Sequence, residues 1–164
     1  MSETPVVRVE LKHADAAELV RQDPSLAGCE LAGALEERRD EVLARAVVRR
    51  YPDGTVVFQQ NESGCSLFLV LEGEVRMSGR KQADGVDLGL ATKGQVLGEG
   101  EALTGAATRR SSAVAQGVAD LAEIPREALL EGGRLPRPLQ RWLEEVRQQR
   151  ARTLDEMTDF LDRW

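Results

Sequence analysis

Histidine is almost absent from this sequence, and its scarcity argues against several kinds of catalytic site. The single histidine, His13, lies in the N-terminal lead-in. A catalytic metal site on a β-barrel needs a cluster of imidazole ligands. A nucleophilic triad needs a base beside its serine or cysteine. The sequence therefore predicts neither kind of active site, and we expect a protein that is not an enzyme.

Cysteine, positive charge and long apolar runs are scarce as well. Cys29 and Cys65 have neither a CxxC spacing nor a neighbouring histidine, which argues against a metal site and favours free thiols in a reducing, cytoplasmic compartment. The formal net charge of -6 disfavours binding to DNA phosphates. No apolar run is long enough to span a membrane, and the N-terminus lacks the regions of a signal peptide. We expect no DNA partner, no membrane partner and no cofactor.

The apolar residues that are present are enough for one core, and their period changes twice along the chain. They make up 41% of 164 residues, which favours a single domain with terminal additions. Helical spacing between residues 14 and 43 is followed by short β-type runs and then by a long helical stripe up to Trp164. We predict N-terminal helices in 1–45, a β domain in 46–126 and C-terminal helices in 127–164.

The central segment consists of short apolar runs separated by turn signals. The run Leu67–Leu71 ends at Glu72-Gly73, and Ser111–Val114 and Leu121–Ile124 are predicted as separate strands. Many short strands at close spacing are typical of an antiparallel sandwich or jelly-roll barrel. The predicted fold class is therefore mainly β, a jelly-roll barrel with N-terminal helices and a long C-terminal helix.

Residues 97–114, LGEGEALTGAATRRSSAV, interrupt the strands with a glycine-rich stretch. Its glycines let backbone N–H groups approach an oxyanion, and one helical turn from Glu101 to Leu103 would point its N-terminus at that anion. Arg109 or Arg110 could complete the site. Two other interpretations stay open: a solvated surface loop, and a pair of catalytic carboxylates at Glu99 and Glu101, although residues two apart do not share a helix face.

Several motifs, in order, resemble one known family. The chain from Val47 to Ile124 resembles the cyclic-nucleotide-binding domain shared by cyclic-AMP receptor transcription factors, kinase regulatory subunits and gated channels. The motifs that carry the resemblance are Tyr51-Pro52-Asp53-Gly54-Thr55, Gln59-Gln60-Asn61-Glu62-Ser63, Leu67-Phe68-Leu69-Val70-Leu71-Glu72-Gly73-Glu74-Val75, Gly94-Gln95-Val96-Leu97-Gly98-Glu99, Arg109-Arg110-Ser111-Ser112-Ala113-Val114-Ala115 and Leu121-Ala122-Glu123-Ile124.

The resemblance implies that residues 97–114 are a phosphate-binding cassette, and we call them the cassette. By this resemblance Glu99 accepts a hydrogen bond from the ribose 2′-hydroxyl, and Arg109, ten positions on, pairs with the cyclic phosphate. Arg110 is the alternative arginine. The strand of Val70 and Leu71 would wall the base pocket, and Thr153 would reach the adenine. The implied site residues are Gly98, Glu99, Gly100, Glu101, Ala102, Arg109, Arg110, Val70, Leu71 and Thr153.

The cassette departs from the family pattern at three positions. Gly100 replaces a bulky apolar residue, which removes an expected anchor onto the barrel. Glu101 replaces a small residue and would bring a carboxylate close to the bound phosphate, where like charges repel. Arg110 replaces a small residue and would either pair with Glu101 or point outward.

The C-terminal helix has an apolar stripe with two open interpretations. The stripe would pack back on the barrel, or it would form the seam of a homodimer, although Gln149 and Arg150 interrupt its heptad pattern. No helix-turn-helix follows before Trp164.

We weigh two functions for the chain. One is a stand-alone sensor of cAMP or cGMP that signals through this helix to an unidentified protein partner. The other is a ligand-free interaction scaffold.

Overall fold

An antiparallel sheet and the helices packed against it make up the described part of the chain. In this computed structural model the backbone is described for residues 9–10, 14–81 and 84–162, and the side chains for 14–79 and 85–152. The strands are β1 (Val9–Glu10), β2 (Val47–Tyr51), β3 (Val56–Phe58), β4 (Leu67–Lys81), β5 (Asp84–Thr92), β6 (Val96–Leu97) and β7 (Ser112–Ile124).

Among the described residues, four short helices lie between β1 and β2, one lies between β6 and β7, and a short and a long helix follow β7. Asp15 and Asp23 cap the first two helices by accepting hydrogen bonds from Ala17 N and Ser25 N, both at 3.0 Å. The helices are α1 (Ala16–Gln22), α2 (Pro24–Ala27), α3 (Glu30–Leu35), α4 (Arg39–Ala44), α5 (Glu99–Thr104), α6 (Arg126–Leu129) and α7 (Arg137–Asp162), with a 3-10 turn at Glu36–Arg38.

Strands β4 and β7 form the centre of the sheet. They pair with each other from Leu67↔Ile124 to Ser78↔Ser112. Strand β7 also pairs with β2 and β3, and β4 with β5 and β6, all antiparallel. The sheet order is β1-β2-β7-β4-β5. With helices at both ends, this sheet confirms the predicted mainly β class with flanking helices. The division at residues 45 and 126 stays a prediction.

Two apolar clusters hold the fold together. The inner cluster lies on one face of β4; its buried members are Tyr51, Val57, Phe58, Phe68, Val70, Val75, Met77, Ala91, Leu97, Ala113, Ala115, Ala119 and Leu121. The outer cluster joins the sheet to the helices and includes Leu71, Ala102, Leu139 and Leu143. Because β4 alternates its side chains between the faces of the sheet, Val70 and Leu71 enter different clusters.

The predicted short strands are longer in the structure, and this prediction was wrong in detail. Leu67–Lys81 forms one strand through Gly73, and Ser112–Ile124 forms another. The β4–β7 register shifts on both sides of Glu72, so the strand bends without ending. Gly73, with φ of 86°, makes this possible, because a Cβ there would lie 2.3 Å from the Val118 carbonyl oxygen.

The first half of α7 packs against its own domain. Leu139 and Leu143 are buried in the outer cluster, and Trp142 and Val146 pack against it. The Trp142 indole Nε1 donates to Glu30 Oε2 at 2.9 Å. The apolar stripe therefore packs against its own domain as far as Val146, which is one of its two predicted roles. The apolar residues from Leu154 onward lie outside the described side chains. None of the helices in the described ranges has the length and hydropathy needed to cross a bilayer.

Substituting Gly73 by alanine tests the bend in β4. Gly54 is a matched control, because it has a similar φ of 78° but open space where a Cβ would lie. We expect Gly54→Ala to lower the free energy of unfolding by about 1–2 kcal/mol, the usual cost of a left-handed alanine. Gly73→Ala should lower it by about 2–5 kcal/mol, because overpacking adds to that cost. Urea denaturation measures both, and equal losses would contradict the close approach of β4 and β7.

Candidate ligand-binding site

The cassette leaves the sheet after β6 and turns at Gly98. Gly98 has a left-handed φ of 77° and precedes α5. The helical turn predicted from Glu101 to Leu103 is longer in the structure and begins two residues earlier, at Glu99. A Cβ on Gly98 would lie 2.5 Å from Arg109 Nη1 and 2.8 Å from the Ser66 carbonyl oxygen. The glycine therefore lets the Arg109 side chain lie directly against the backbone of this turn.

Arg109 is the buried cation of the cassette. The residue is only 3% exposed, and its Nη2 donates to the Ser66 carbonyl oxygen at 2.9 Å. The guanidinium carbon lies 4.5 Å from the ring centroid of Phe58 and 5.4 Å from that of Phe68. Both rings attract the charge through their faces. These contacts hold the guanidinium in one place on the inner side of the cassette.

The backbone of Arg109 is clamped to the loop that precedes β4. Its N–H donates to the Glu62 carbonyl oxygen at 2.8 Å, and its carbonyl oxygen accepts from Asn61 N at 2.8 Å. Gly64 lies under the side chain, where a Cβ would be 3.2 Å from Arg109 Nε. Because both main chain and side chain are held, the position of the guanidinium is set by the sheet framework and not by the cassette alone.

The electrostatic environment of Arg109 is only partly balanced. Burial lowers the pKa of its guanidinium, and the Glu101 carboxylate opposes that shift. Nη1 lies 3.8 Å from Glu101 Oε1, within ion-pair range but beyond hydrogen-bond range. This Nη1 has no hydrogen-bond partner among the described residues. The buried guanidinium thus keeps a donor for an oxyanion.

Glu101 is buried beside Arg109 and turns away from water. The residue is 5% exposed, and its Oε1 accepts a hydrogen bond from the backbone N–H of Arg110 at 3.1 Å. The Arg110 side chain is exposed. Of the two predicted arrangements, the structure has the Arg110 side chain outside, while its main chain and Arg109 contact the carboxylate.

Glu99 connects the cassette to the long helix. It is 6% exposed, and its Oε2 pairs with Arg150 Nη1 of α7. Arg150 Nη2 also donates to the Val96 carbonyl oxygen at 2.6 Å. Glu99 and Glu101 thus each contact a different arginine, which disfavours the interpretation as a catalytic carboxylate pair. Arg150 was not predicted as a site residue, and its one signal in the sequence was its polar interruption of the apolar stripe.

The cassette is anchored to the rest of the domain even though position 100 is a glycine. A Cβ there would lie 3.8 Å from Cδ of Arg147, so the aliphatic stem of this α7 side chain covers the position. Ala102 is fully buried in the outer cluster, and Arg126 Nε donates to its carbonyl oxygen at 2.8 Å. The anchor expected from a bulky residue at position 100 is replaced by contacts from α6 and α7.

A cleft of about 370 Å³ lies beside the Glu99–Arg150 pair, between α7 and β5. The described residues that line it are Glu30, Met77, Leu88, Leu90, Gln95, Trp142, Glu145, Val146, Gln149 and Arg150. Val70 and Leu71, predicted to wall the base pocket, are buried in the two clusters and are not among these lining residues. Thr153 lies on α7, outside the described side chains.

The cysteines and acidic residues form no further site in the described part. Cys29 and Cys65 are both free thiols. Within residues 14–79 and 85–152, no group of three or more histidine, cysteine, aspartate and glutamate side chains is arranged to hold a metal ion.

Comparison with known proteins identifies the fold. The family profile described as "Cyclic nucleotide-binding domain" matches residues 48–132, which is more than half of the 164-residue chain. The chain belongs to the cyclic nucleotide-binding domain family. This confirms both the predicted family and the jelly-roll fold. A search among curated proteins gave no match.

Solved structures share this cyclic nucleotide-binding fold at low sequence identity. The regulatory domain of Toxoplasma gondii PKA with cAMP is 17% identical, with a TM-score of 0.69 over 82% of this chain and 50% of that one. The regulatory subunit of a cAMP-independent protein kinase A from Trypanosoma cruzi, bound to guanosine, is 22% identical, with a TM-score of 0.61 over 70% and 40%. The Thermus thermophilus catabolite activator protein is 27% identical, with a TM-score of 0.57 over 85% and 63%. The chain thus spans half or less of the length of the two regulatory chains from protein kinase A.

A double-mutant cycle measures the link between the cassette and α7. We expect Arg150→Gln to lower the free energy of unfolding by about 2–4 kcal/mol, because it leaves the Glu99 carboxylate buried without its partner. Glu99→Gln should cost less, since Arg150 is 22% exposed and keeps its bond to Val96. The coupling between the two changes, measured by urea denaturation, should be about 1–3 kcal/mol.

The Arg49–Glu123 pair of the sheet is the matched control for this cycle. Its side chains are 27% and 28% exposed, so we expect a coupling of about 1 kcal/mol or less. Additive effects of the Glu99 and Arg150 changes would show that the cassette and α7 are energetically independent.

Proposed function

We propose that this cyclic nucleotide-binding domain is a non-enzymatic regulatory module that senses cAMP or a related cyclic nucleotide and signals through α7 to a protein partner. The observation that carries the proposal is the Arg109 guanidinium, which is 3% exposed and has an Nη1 without a hydrogen-bond partner among the described residues. A buried cation with an unused donor is suited to an anionic group such as a cyclic phosphate.

The proposed ligand would contact three neighbouring regions. Its phosphate would take the Nη1 donor of Arg109, and its ribose would contact the Glu99 carboxylate. The base would enter the cleft beside α7, whose apolar wall includes Met77, Leu88 and Leu90. This assigns the base to the β4–β5 side of the sheet and not to Val70 and Leu71.

Arg150 supplies the proposed route from the ligand to the helix. It pairs with Glu99, lines the cleft and belongs to α7. A ribose hydroxyl that donates a hydrogen bond to Glu99 would weaken the ion pair between this carboxylate and Arg150. Because a ligand shifts a conformational equilibrium only through differential contacts, this shared carboxylate would couple ligand binding to the position of α7.

The proposed output surface is the end of α7. The first part of the helix packs against its own domain through Leu139 and Leu143, so this part is not available to a partner. The helix continues to Asp162, and its sequence there keeps an apolar stripe at Leu154, Met157 and Phe160. We propose that this stripe contacts a second copy of the chain or another protein in the cytoplasm.

A second candidate function is a ligand-free interaction scaffold. The observation that favours it is Glu101, whose carboxylate already lies 3.8 Å from Arg109 Nη1. It is also supported by a structural relative described as the regulatory subunit of a cAMP-independent protein kinase A bound to guanosine, since a shared fold does not by itself imply a shared ligand.

Calorimetric titration with cAMP and cGMP tests the two candidates. We expect saturable binding of at least one cyclic nucleotide, and Arg109→Ala should weaken it by about 30-fold or more, because a buried charge contact is lost. Arg110→Ala is the matched control, since its side chain is exposed, and it should change affinity less than about 3-fold.

The fold of each variant is checked first by circular dichroism and thermal unfolding, with Arg109→Lys as a second variant that keeps the charge. Absence of heat at high micromolar ligand would favour the scaffold. An Arg110→Ala variant that loses binding while Arg109→Ala keeps it would overturn the assignment of the phosphate contact.

Light scattering tests the proposed self-association. If the end of α7 forms a dimer seam, the mass in solution should be twice the chain mass of 18.0 kDa, and Met157→Glu should halve it by placing a charge in the seam. A monomer mass at high micromolar concentration would leave only a different protein as the partner.

A further inference from the structure

The Glu101 carboxylate occupies the position where the site offers donors to an anion. It accepts a hydrogen bond from Arg110 N at 3.1 Å and lies 3.8 Å from Arg109 Nη1. A backbone N–H and a guanidinium are the donors that proteins use to bind phosphate and carboxylate oxygens. With 5% exposure, this carboxylate has little access to water as an alternative partner.

Two arginine–carboxylate pairs lie at the cassette when Glu101 is in place. Arg109 lies opposite Glu101, and Arg150 opposite Glu99. The four groups together carry no net charge. An incoming anion would therefore meet little net attraction from them until Glu101 moves away from Arg109.

The contact of Glu101 with Arg109 is also incomplete. At 3.8 Å the two groups attract each other, yet Nη1 makes no hydrogen bond to any described residue. Arg109 itself is fixed by Ser66, Phe58 and Phe68. Displacing the carboxylate would therefore sacrifice an ion pair but no hydrogen bond from the guanidinium, and the arginine would not have to move.

We infer that Glu101 is an internal competitor for the anion position, and that a cyclic nucleotide binds by displacing this carboxylate from Arg109 and from the backbone N–H of Arg110. The inference rests on the proposed function only for the identity of the incoming anion. It makes Glu101 a specificity-determining residue. A cyclic phosphate must compete with it, whereas a nucleoside, which has no phosphate, leaves it in place.

The first experiment tests the competitor without any nucleotide. In Glu101→Ala the donors of Arg109 and Arg110 face an unfilled space, so small anions should bind there and stabilise the fold. We expect sodium acetate or sodium phosphate to raise the midpoint of thermal unfolding of this variant by about 2–4 °C more than sodium chloride of equal ionic strength. Wild type and Glu127→Ala, which removes an exposed carboxylate on α6, should show no such difference.

If Glu101→Ala fails to fold, Glu101→Gln is used in its place. The amide keeps the size of the side chain and an acceptor for Arg110 N–H but removes the charge. It should show the same anion preference to a smaller degree. The inference is overturned if neither variant distinguishes acetate or phosphate from chloride, or if wild type responds equally.

The second experiment separates the inference from the proposed function. Calorimetry of wild type and both Glu101 variants uses cAMP, cGMP, adenosine and guanosine. We expect the variants to bind cyclic nucleotides about 10-fold or more tightly than wild type, while nucleoside affinity changes less than about 2-fold. Unchanged cyclic-nucleotide affinity would overturn the inference and leave the proposed function standing. If anions stabilise the variants but no form of the protein binds a cyclic nucleotide, Glu101 would still be a competitor for the anion position, and the proposed function would be overturned.

Discussion

The burial of one positive charge, that of Arg109, is the constraint on which the cassette depends. A guanidinium that is 3% exposed needs partners, because removing a charge from water is unfavourable unless the charge is paired and hydrogen-bonded. The partners come from separate parts of the chain: the Ser66 carbonyl, the Phe58 and Phe68 rings and the Glu101 carboxylate. Gly98 must lack a Cβ because this side chain lies against it. The cassette conformation follows from these demands.

Two arginine–carboxylate pairs lie at the site, one within the cassette and one between the cassette and α7. Arg109 and Glu101 lie within the cassette, and in the proposed mechanism their contact controls access to the anion position. Glu99 and Arg150 join the cassette to α7. A ligand that enters between them would act on both pairs at once. In the proposed function these two pairs would link recognition to response, because each pair includes one residue of the cassette that a ligand would contact.

Much of the fold could be predicted from residue patterns, and less of the site. The short apolar runs around Leu67 and Leu121, separated by turn signals, predicted a jelly-roll barrel, but not that β4 and β7 would continue through those signals. Gly73 indicates a strand end in the sequence, whereas in the structure it permits a bend at which the β4–β7 register shifts and the pairing then continues. Arg150 had only a weak signal, since its partner Glu99 lies 51 positions away.

The sequence by itself determined the order of helical and extended segments, because apolar periodicity acts over a few neighbouring positions. The order and spacing of its motifs determined which family it resembles. Only the tertiary structure decided that Arg109 is buried while Arg110 is exposed, and that Glu101 contacts the first side chain and the main chain of the second. The physical reason is that burial of a charge depends on partners brought together from distant positions. The resemblance favoured Arg109 over Arg110 for the phosphate, but its burial required Phe58, Ser66 and Phe68 from another part of the chain.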